Sequence, residues 1–189
     1  KESSAASDVY KRQIYILITP KAVNRLVVGS GNIFGNLVVV GEAPGAQEDL
    51  EGIPFVGKSG RFLKNLLEVS GINIYEEVYF CNVMKCRPPG NRKPSPKEIS
   101  IHKPWLIQQI KLVNPKIVIL AGSTAMKTIL EVNKPISQLR GKWFSLKGIN
   151  YIPIFHPSYL MRFSQNQINN PYGLTVKDLQ NVRNKLYDL

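Results

Sequence analysis

Three apolar runs each end in a short polar cluster, and this pairing constrains the fold more than any other feature. Leu37-Val38-Val39-Val40 leads into Gly41-Glu42-Ala43-Pro44-Gly45. Val78-Tyr79-Phe80-Cys81 leads into Asn82 and then Lys85-Cys86-Arg87-Pro88-Pro89. Tyr151-Ile152-Pro153-Ile154-Phe155 leads into His156-Pro157-Ser158-Tyr159-Leu160. Short continuous apolar runs read as strands buried on both faces. In an open parallel sheet, ligands bind in the crevice outside the carboxyl ends of the strands. A carboxylate, an amide and an imidazole are therefore expected to converge there.

The segments between these runs read as helices. From Gly57 to Gly60 a helix opens whose apolar residues Phe62, Leu63, Leu66 and Leu67 keep helical spacing, with Gly71 as its stop. Ser95-Pro96-Lys97-Glu98 carries a cap, a first-turn proline and the glutamate of a capping box. That helix is expected to run to Val113, kinked at Pro104. Ile117 to Leu120 is a further strand, and Gly122-Ser123 caps a short helix to Leu130. Thr175 and Asp178 start a last helix carrying Val176, Leu179, Val182 and Leu186. Gln13 to Thr19 reads as a short strand or a helix end. Strands alternating with helices predict an α/β fold with a mostly parallel sheet. The 189 residues predict a single domain over 1–189.

Lys1-Glu2-Ser3-Ser4 is too polar for a signal peptide, and no apolar run is long enough to span a bilayer. The two cysteines, Cys81 and Cys86, make no disulfide framework, which points to a cytoplasmic setting. A net charge of +12 predicts a polyanionic partner, nucleic acid first, against the alternative of a basic solvated surface. Basic residues gather near the motifs: Lys85, Arg87, Arg92, Lys93, Arg140, Lys142 and Arg162.

Each polar residue has a bland reading beside a functional one. The small residues of Gly41–Gly45 let backbone amides approach a planar ligand, or simply make a tight turn. Glu42 can position a water or stabilise positive charge, while Glu48-Asp49 read as surface acids. Phe55, between Gly52 and Gly57, is either a ring that stacks on a base or a core phenylalanine. Asn82 can read a nucleobase edge or terminate a strand. His156 can stabilise an oxyanion on a leaving base or serve structure alone. Ser158-Tyr159-Leu160 offers a hydroxyl for a phosphate and an apolar wedge for a base stack.

Together and in this order, these segments resemble the uracil-DNA glycosylase superfamily, and most closely its family-4 type. The resemblance rests on Gly41–Gly45 with Glu48-Asp49, Pro54-Phe55-Val56-Gly57, Cys81 to Pro89, and His156 to Leu160. It implies a three-layer α/β/α fold with a four-stranded, mostly parallel sheet. It implies cleavage of the N-glycosidic bond of deoxyuridine in single- or double-stranded DNA, with the base flipped out because the bond is unreachable inside a duplex. The resemblance makes Glu42 and His156 catalytic, and Ala43, Phe55 and Asn82 the uracil contacts. Ser158, Tyr159 and Leu160 fall on the loop that pinches the strand and fills the vacated stack. With Lys85, Arg87, Arg92, Lys142 and Arg162, they are the expected DNA contacts of a monomer acting on nucleoid DNA.

One departure is large. The resemblance implies a four-iron cluster held by four cysteines, two of them N-terminal. Here Cys86 matches the third ligand and His102 stands at the fourth, while Ile14 and Leu17 fall where the pair would be. Four-iron clusters are held by four thiolates. Cys81 reads as core, and His102 as a packed, hydrogen-bonded side chain beside Ile99, Leu106 and Ile110. The expectation is an enzyme with no metal and no cluster, its place taken by packing around Ile14, Tyr15, Leu17 and Trp105.

Two other classes compete. One is a DNA-binding member that has lost catalysis with its cluster; the Glu42, Phe55, Asn82 and His156 set argues against it. The other is a hydrolase or transferase of free nucleotides, disfavoured by the basic loop and the Ser158-Tyr159-Leu160 segment. The Arg87–Pro96 loop has no histidine, so covalent trapping on the product is not expected.

Overall fold

The computed structural model describes residues 25–163 and 169–188. The expectations for Gln13 to Thr19, and for Ile14, Tyr15 and Leu17 as packing substitutes, lie outside the described residues.

In chain order the elements are β1 (Ser30–Gly31), β2 (Leu37–Gly41), α1 (Ala46–Glu51), α2 (Lys58–Val69), α3 (Ile74–Glu77) and β3 (Val78–Asn82). A 3₁₀ turn at Pro89–Asn91 leads to α4 (Pro96–Val113), β4 (Ile117–Ala121), α5 (Ser123–Leu130) and α6 (Ile136–Leu139). The chain continues through β5 (Phe144–Leu146), β6 (Ile149–Ile154), α7 (Pro157–Leu160) and α8 (Pro171–Tyr187). The sheet order is β1-β3-β2-β4-β6-β5. The expected four strands form its parallel centre, but among the described residues the sheet has six strands. Both additions are antiparallel edges. The β5–β6 hairpin turns through Lys147 and Gly148 at φ of 51° and 80°, as a two-residue hairpin loop requires.

Side chains alternate across the sheet with period two. Leu37, Val39, Phe80 and Ile119 pack with Leu63, Leu66 and Leu67 of α2 and Leu179 and Val182 of α8. Val38, Val40, Cys81 and Leu120 pack on the other face with Leu106 and Ile110 of α4 and Met126 and Ile129 of α5. Helices thus cover both faces, giving three layers.

The start of α4 follows its sequence signals. Ser95 Oγ accepts from the Glu98 N–H at 3.3 Å, and Glu98 Oε2 accepts from the Ser95 N–H at 2.8 Å. Pro104 lies within α4 without ending it. The last helix begins four residues before Thr175, at Pro171. Asn170 caps it by accepting from the Gly173 N–H at 3.0 Å. Glu48 and Asp49 are buried rather than surface acids, because α1 turns their face inward. Among the described residues, no helix is long and apolar enough to cross a membrane.

Candidate active site

Parallel register aligns the carboxyl ends of the central strands, pairing Gly41 with Asn82 and Ala121 with Ile154. A cavity of about 110 Å³ opens there, lined by Glu42, Ala43, Phe55, Asn82 and His156 among others. All five residues assigned to base binding or catalysis from sequence share this one cavity.

Local geometry explains the convergence. Beyond β3, Val83 N–H donates to Gly41 O at 2.9 Å and Met84 N–H to Glu42 O at 3.0 Å, which fixes the two loops against each other. A Cβ on Gly41 would lie 2.3 Å from Asn82 Oδ1 and 2.8 Å from the Phe55 ring. Only glycine admits both side chains there. Phe55 is held at φ 57°, a left-handed conformation unfavourable to a bulky residue. Its ring is only 8% exposed and sits 5.4 Å from the Phe80 ring. The two readings of Phe55 thus combine, since one side of the ring is core and the ring also lines the cavity.

Glu48 is a site residue that the sequence reading missed. Its carboxylate accepts from the Gly45 N–H at 3.0 Å and the Gly57 N–H at 2.7 Å, tying together two walls of the cavity. The available signal was a glutamate three residues after a glycine N-cap.

His156 caps α7. Its Nδ1 accepts the Ser158 N–H at 3.2 Å, with Ser158 Oγ 2.7 Å away. A backbone N–H can only donate, so Nδ1 holds the lone pair and Nε2 carries the proton in the neutral ring. Burial lowers the pKa of His156, opposed by the nearby Glu42 carboxylate. The site therefore presents a neutral imidazole donor.

The outer residues divide. Arg92, Lys142, Ser158, Tyr159 and Arg162 are exposed and Arg87 is half-buried. Arg87 Nε donates to Asn91 Oδ1 at 2.7 Å, and Arg92 makes a two-pronged pair with Glu98 at 2.7 and 2.8 Å. Two expectations are corrected. Lys85 has no exposed surface and points inward, so it does not present its charge to phosphate. Its Nζ donates to the Asn82 carbonyl at 2.6 Å and to Gln109 Oε1. Leu160 is likewise fully buried in the core with Ile154 and Leu63, because α7 packs on α2. The apolar group standing out of this loop is Tyr159, 40% exposed, between Phe155 and Phe163 at ring distances of 5.3 and 5.0 Å.

The cluster-ligand positions form a different kind of site. Lys85 N–H donates to His102 Nδ1 at 3.1 Å, leaving Nε2 3.7 Å from Cys86 Sγ. Burial, reinforced by Lys85, lowers His102 to a pKa of about 4. Burial, reinforced by Glu98 and Asp49, pushes the Cys86 thiol up to about 11. Cys81 packs inside the sheet with Val83 and Leu106. Among the described residues, no three His, Cys, Asp or Glu side chains are grouped to hold a metal. Cys86 and His102 supply two donors, one of whose nitrogens is already committed to backbone. That set does not fit a four-iron cluster.

Comparison with known proteins gives the family of the chain. The Type-4 uracil-DNA glycosylase of Thermotoga maritima is 41% identical over 170 residues, covering 87% of this chain and 85% of that protein. The Type-4 enzyme of Archaeoglobus fulgidus is 36% identical over 149 residues, covering 75% and 74%. A DNA polymerase of Bacillus phage SP01 is 28% identical over 152 residues, covering 80% of this chain but 16% of the polymerase. A sequence model of the family matches residues 28–180, and the chain belongs to the Uracil DNA glycosylase superfamily.

Proposed function

We propose that this protein excises uracil from DNA, acting as a monomeric single-domain glycosylase without an iron–sulfur cluster. The carrying observation is that Phe55, Asn82 and His156 line one cavity with Glu42. Flipping exposes the bond between the sugar C1′ and uracil N1. Phe55 stacks on the extruded base, Asn82 pairs with its edge, and the backbone at Ala43 approaches its carbonyls. As the C1′–N1 bond breaks, its electrons leave with uracil. His156 Nε2–H stabilises the charge growing on the base oxygen. Glu42 faces the positive character developing at C1′, where the oxygen of a water adds, and the proton that the water gives up ends on the departed uracil anion. The products are uracil and an abasic site.

Arg87, Arg92, Lys142, Arg162, Ser158 and Tyr159 are the DNA contacts in this reading, supported by their full or partial exposure and, for the cations, their charge. Lys85 and Leu160 support the site from within. The donor set supports the cluster-free reading: the chain has two cysteines, and one packs against the sheet.

The decisive assay uses purified protein with a labelled oligonucleotide containing one uracil, followed by alkaline cleavage of abasic sites. Uracil-dependent cleavage is expected without added metal, and a strongly reduced rate in both Asn82→Ala and His156→Ala. Parent-rate excision by both variants would overturn the site assignment.

A further inference from the structure

The cavity leaves one question open: what holds the Glu42 carboxylate in place. Its backbone carbonyl is anchored by Met84, but its side chain extends from a turn of small residues. The group that meets it comes from elsewhere. Thr124 Oγ1 donates to Glu42 Oε2 from a side chain only 5% exposed. Thr124 does not line the uracil cavity; it lines a neighbouring groove between α4 and α5. It therefore grips the carboxylate from behind.

The topology gives this contact its meaning. β4 lies between β2, whose carboxyl end leads directly into Glu42, and β6, beyond whose carboxyl end His156 caps α7. The turn from β4 into α5 thus stands next to both. Gly122 in that turn adopts φ 99°, and its N–H donates to Ile154 O at 3.0 Å. A Cβ on Gly122 would stand 3.0 Å from the His156 ring. Two residues later, Thr124 reaches Glu42. One turn therefore sets the His156 ring on one side and the Glu42 carboxylate on the other.

We propose that Thr124 is a positioning residue for uracil excision, orienting the Glu42 carboxylate toward the reacting sugar by a hydrogen bond from outside the cavity. The assignment rests on the role given to Glu42 above. A single hydrogen bond to a carboxylate holds one oxygen and leaves the other available to the cavity. Such a bond selects one rotamer of a flexible side chain before substrate arrives, which is how preorganised charge acts at no cost during reaction.

The test is single-turnover excision beside DNA binding and thermal melting, for Thr124→Val, Thr124→Ala and Thr124→Ser, each alone and with Glu42→Ala. Thr124→Val and Thr124→Ala are expected to slow excision about tenfold to a hundredfold, the size of a lost hydrogen bond to a charged group. DNA affinity should be unchanged, because Thr124 touches neither base nor phosphate. Thr124→Ser keeps the hydroxyl and should restore most of the rate. In the Glu42→Ala background, Thr124→Val should cost no further rate, since the two act through one group. Multiplied losses in the double variant would overturn the proposal. So would a lowered melting temperature with the parent rate intact. Parent-rate excision by Glu42→Ala would instead overturn the role of Glu42, a separate and distinguishable failure.

Discussion

Lys85 Nζ donates to the main-chain carbonyl of Asn82 at 2.6 Å from a side chain with no exposed surface. A basic residue in a basic loop is thereby turned away from the surface and placed under Asn82, the residue proposed to read the base. Burial lowers its pKa to about 8, opposed by Cys81. The same ammonium also reaches Gln109, whose Nε2 donates to Val28 O at 2.9 Å. The strand end bearing Asn82 is thus tied through Lys85 to α4 and to the segment before β1.

This geometry separates two kinds of basic residue. Lys85→Met should weaken uracil excision and thermal stability while leaving the salt dependence of DNA binding unaltered. Arg162→Ala should reduce the slope of log affinity against log salt by about one unit, because an exposed cation releases a counterion. Titrations across a salt series check both. An altered slope in Lys85→Met would return Lys85 to the DNA surface.

Asn82→Ala leaves the uracil edge without its partner and should lose excision and base selection together. The check is the ratio of uracil to cytosine excision in matched oligonucleotides. A variant equally selective at the parent rate would remove Asn82 from base reading.

His156 carries the pH dependence. Burial holds its pKa below the ordinary 6.5, so the imidazole is neutral at neutral pH. Acidification protonates Nδ1, which then loses its bond from the Ser158 N–H and with it the orientation of the ring. Single-turnover excision should therefore hold level above pH 6.5 and fall below it, as the imidazole takes up its proton. His156→Ala should lower the rate by about 10²-fold and abolish that acid limb. An acid limb centred above 6.5 would contradict the neutral-donor assignment.

Much of this site was legible because its residues sit at strand ends. A buried parallel strand announces itself as an apolar run, and the next polar residue marks the crevice. That logic located Glu42, Asn82 and His156. It failed where direction matters more than type. Lys85 and Leu160 are the right kinds of residue for DNA, but the packing of α4 and α7 turns both inward. Glu48 had a local signal, its place three residues after Gly45, whereas Thr124 was invisible because it acts by reaching across the fold. The hairpin to β5 was missed although Lys147-Gly148 is a serviceable turn. The edge strands are short and carry little apolar pattern.

Within the Ser158-Tyr159-Leu160 segment, the wedge falls to the exposed Tyr159 and not to the buried Leu160. Tyr159→Ala should impair excision from duplex more than from single strands, since only duplex presents an opposing stack. Leu160→Ala should instead cost about 2–5 kcal/mol of folding stability, as for a buried leucine, and affect both substrates alike. Rates on paired and unpaired oligonucleotides, with denaturant melts, separate the two. Equal losses on both substrates for Tyr159→Ala would argue against any wedge in this loop.

His102 makes the fold itself sensitive to acid. In the folded protein its pKa is about 4, against 6.5 for an ordinary imidazole. The unfolded chain therefore binds the proton more readily, and stability falls as pH drops from 6.5 toward 4. The loss is complete once pH passes below the folded value. Glu98, held down to about 2 by Arg92 and the Ser95 amide, acts in a lower window, losing its contribution as pH falls from 4.5 toward 2. The two limbs are thus separable in pH. His102→Gln retains an acceptor for the Lys85 N–H but has no proton to take up. It should flatten the upper limb and leave the lower one. Denaturant melts across pH 3 to 8 give the answer directly. An upper limb of the same size in His102→Gln would show that some other buried base governs it, and would remove His102 from the acid response.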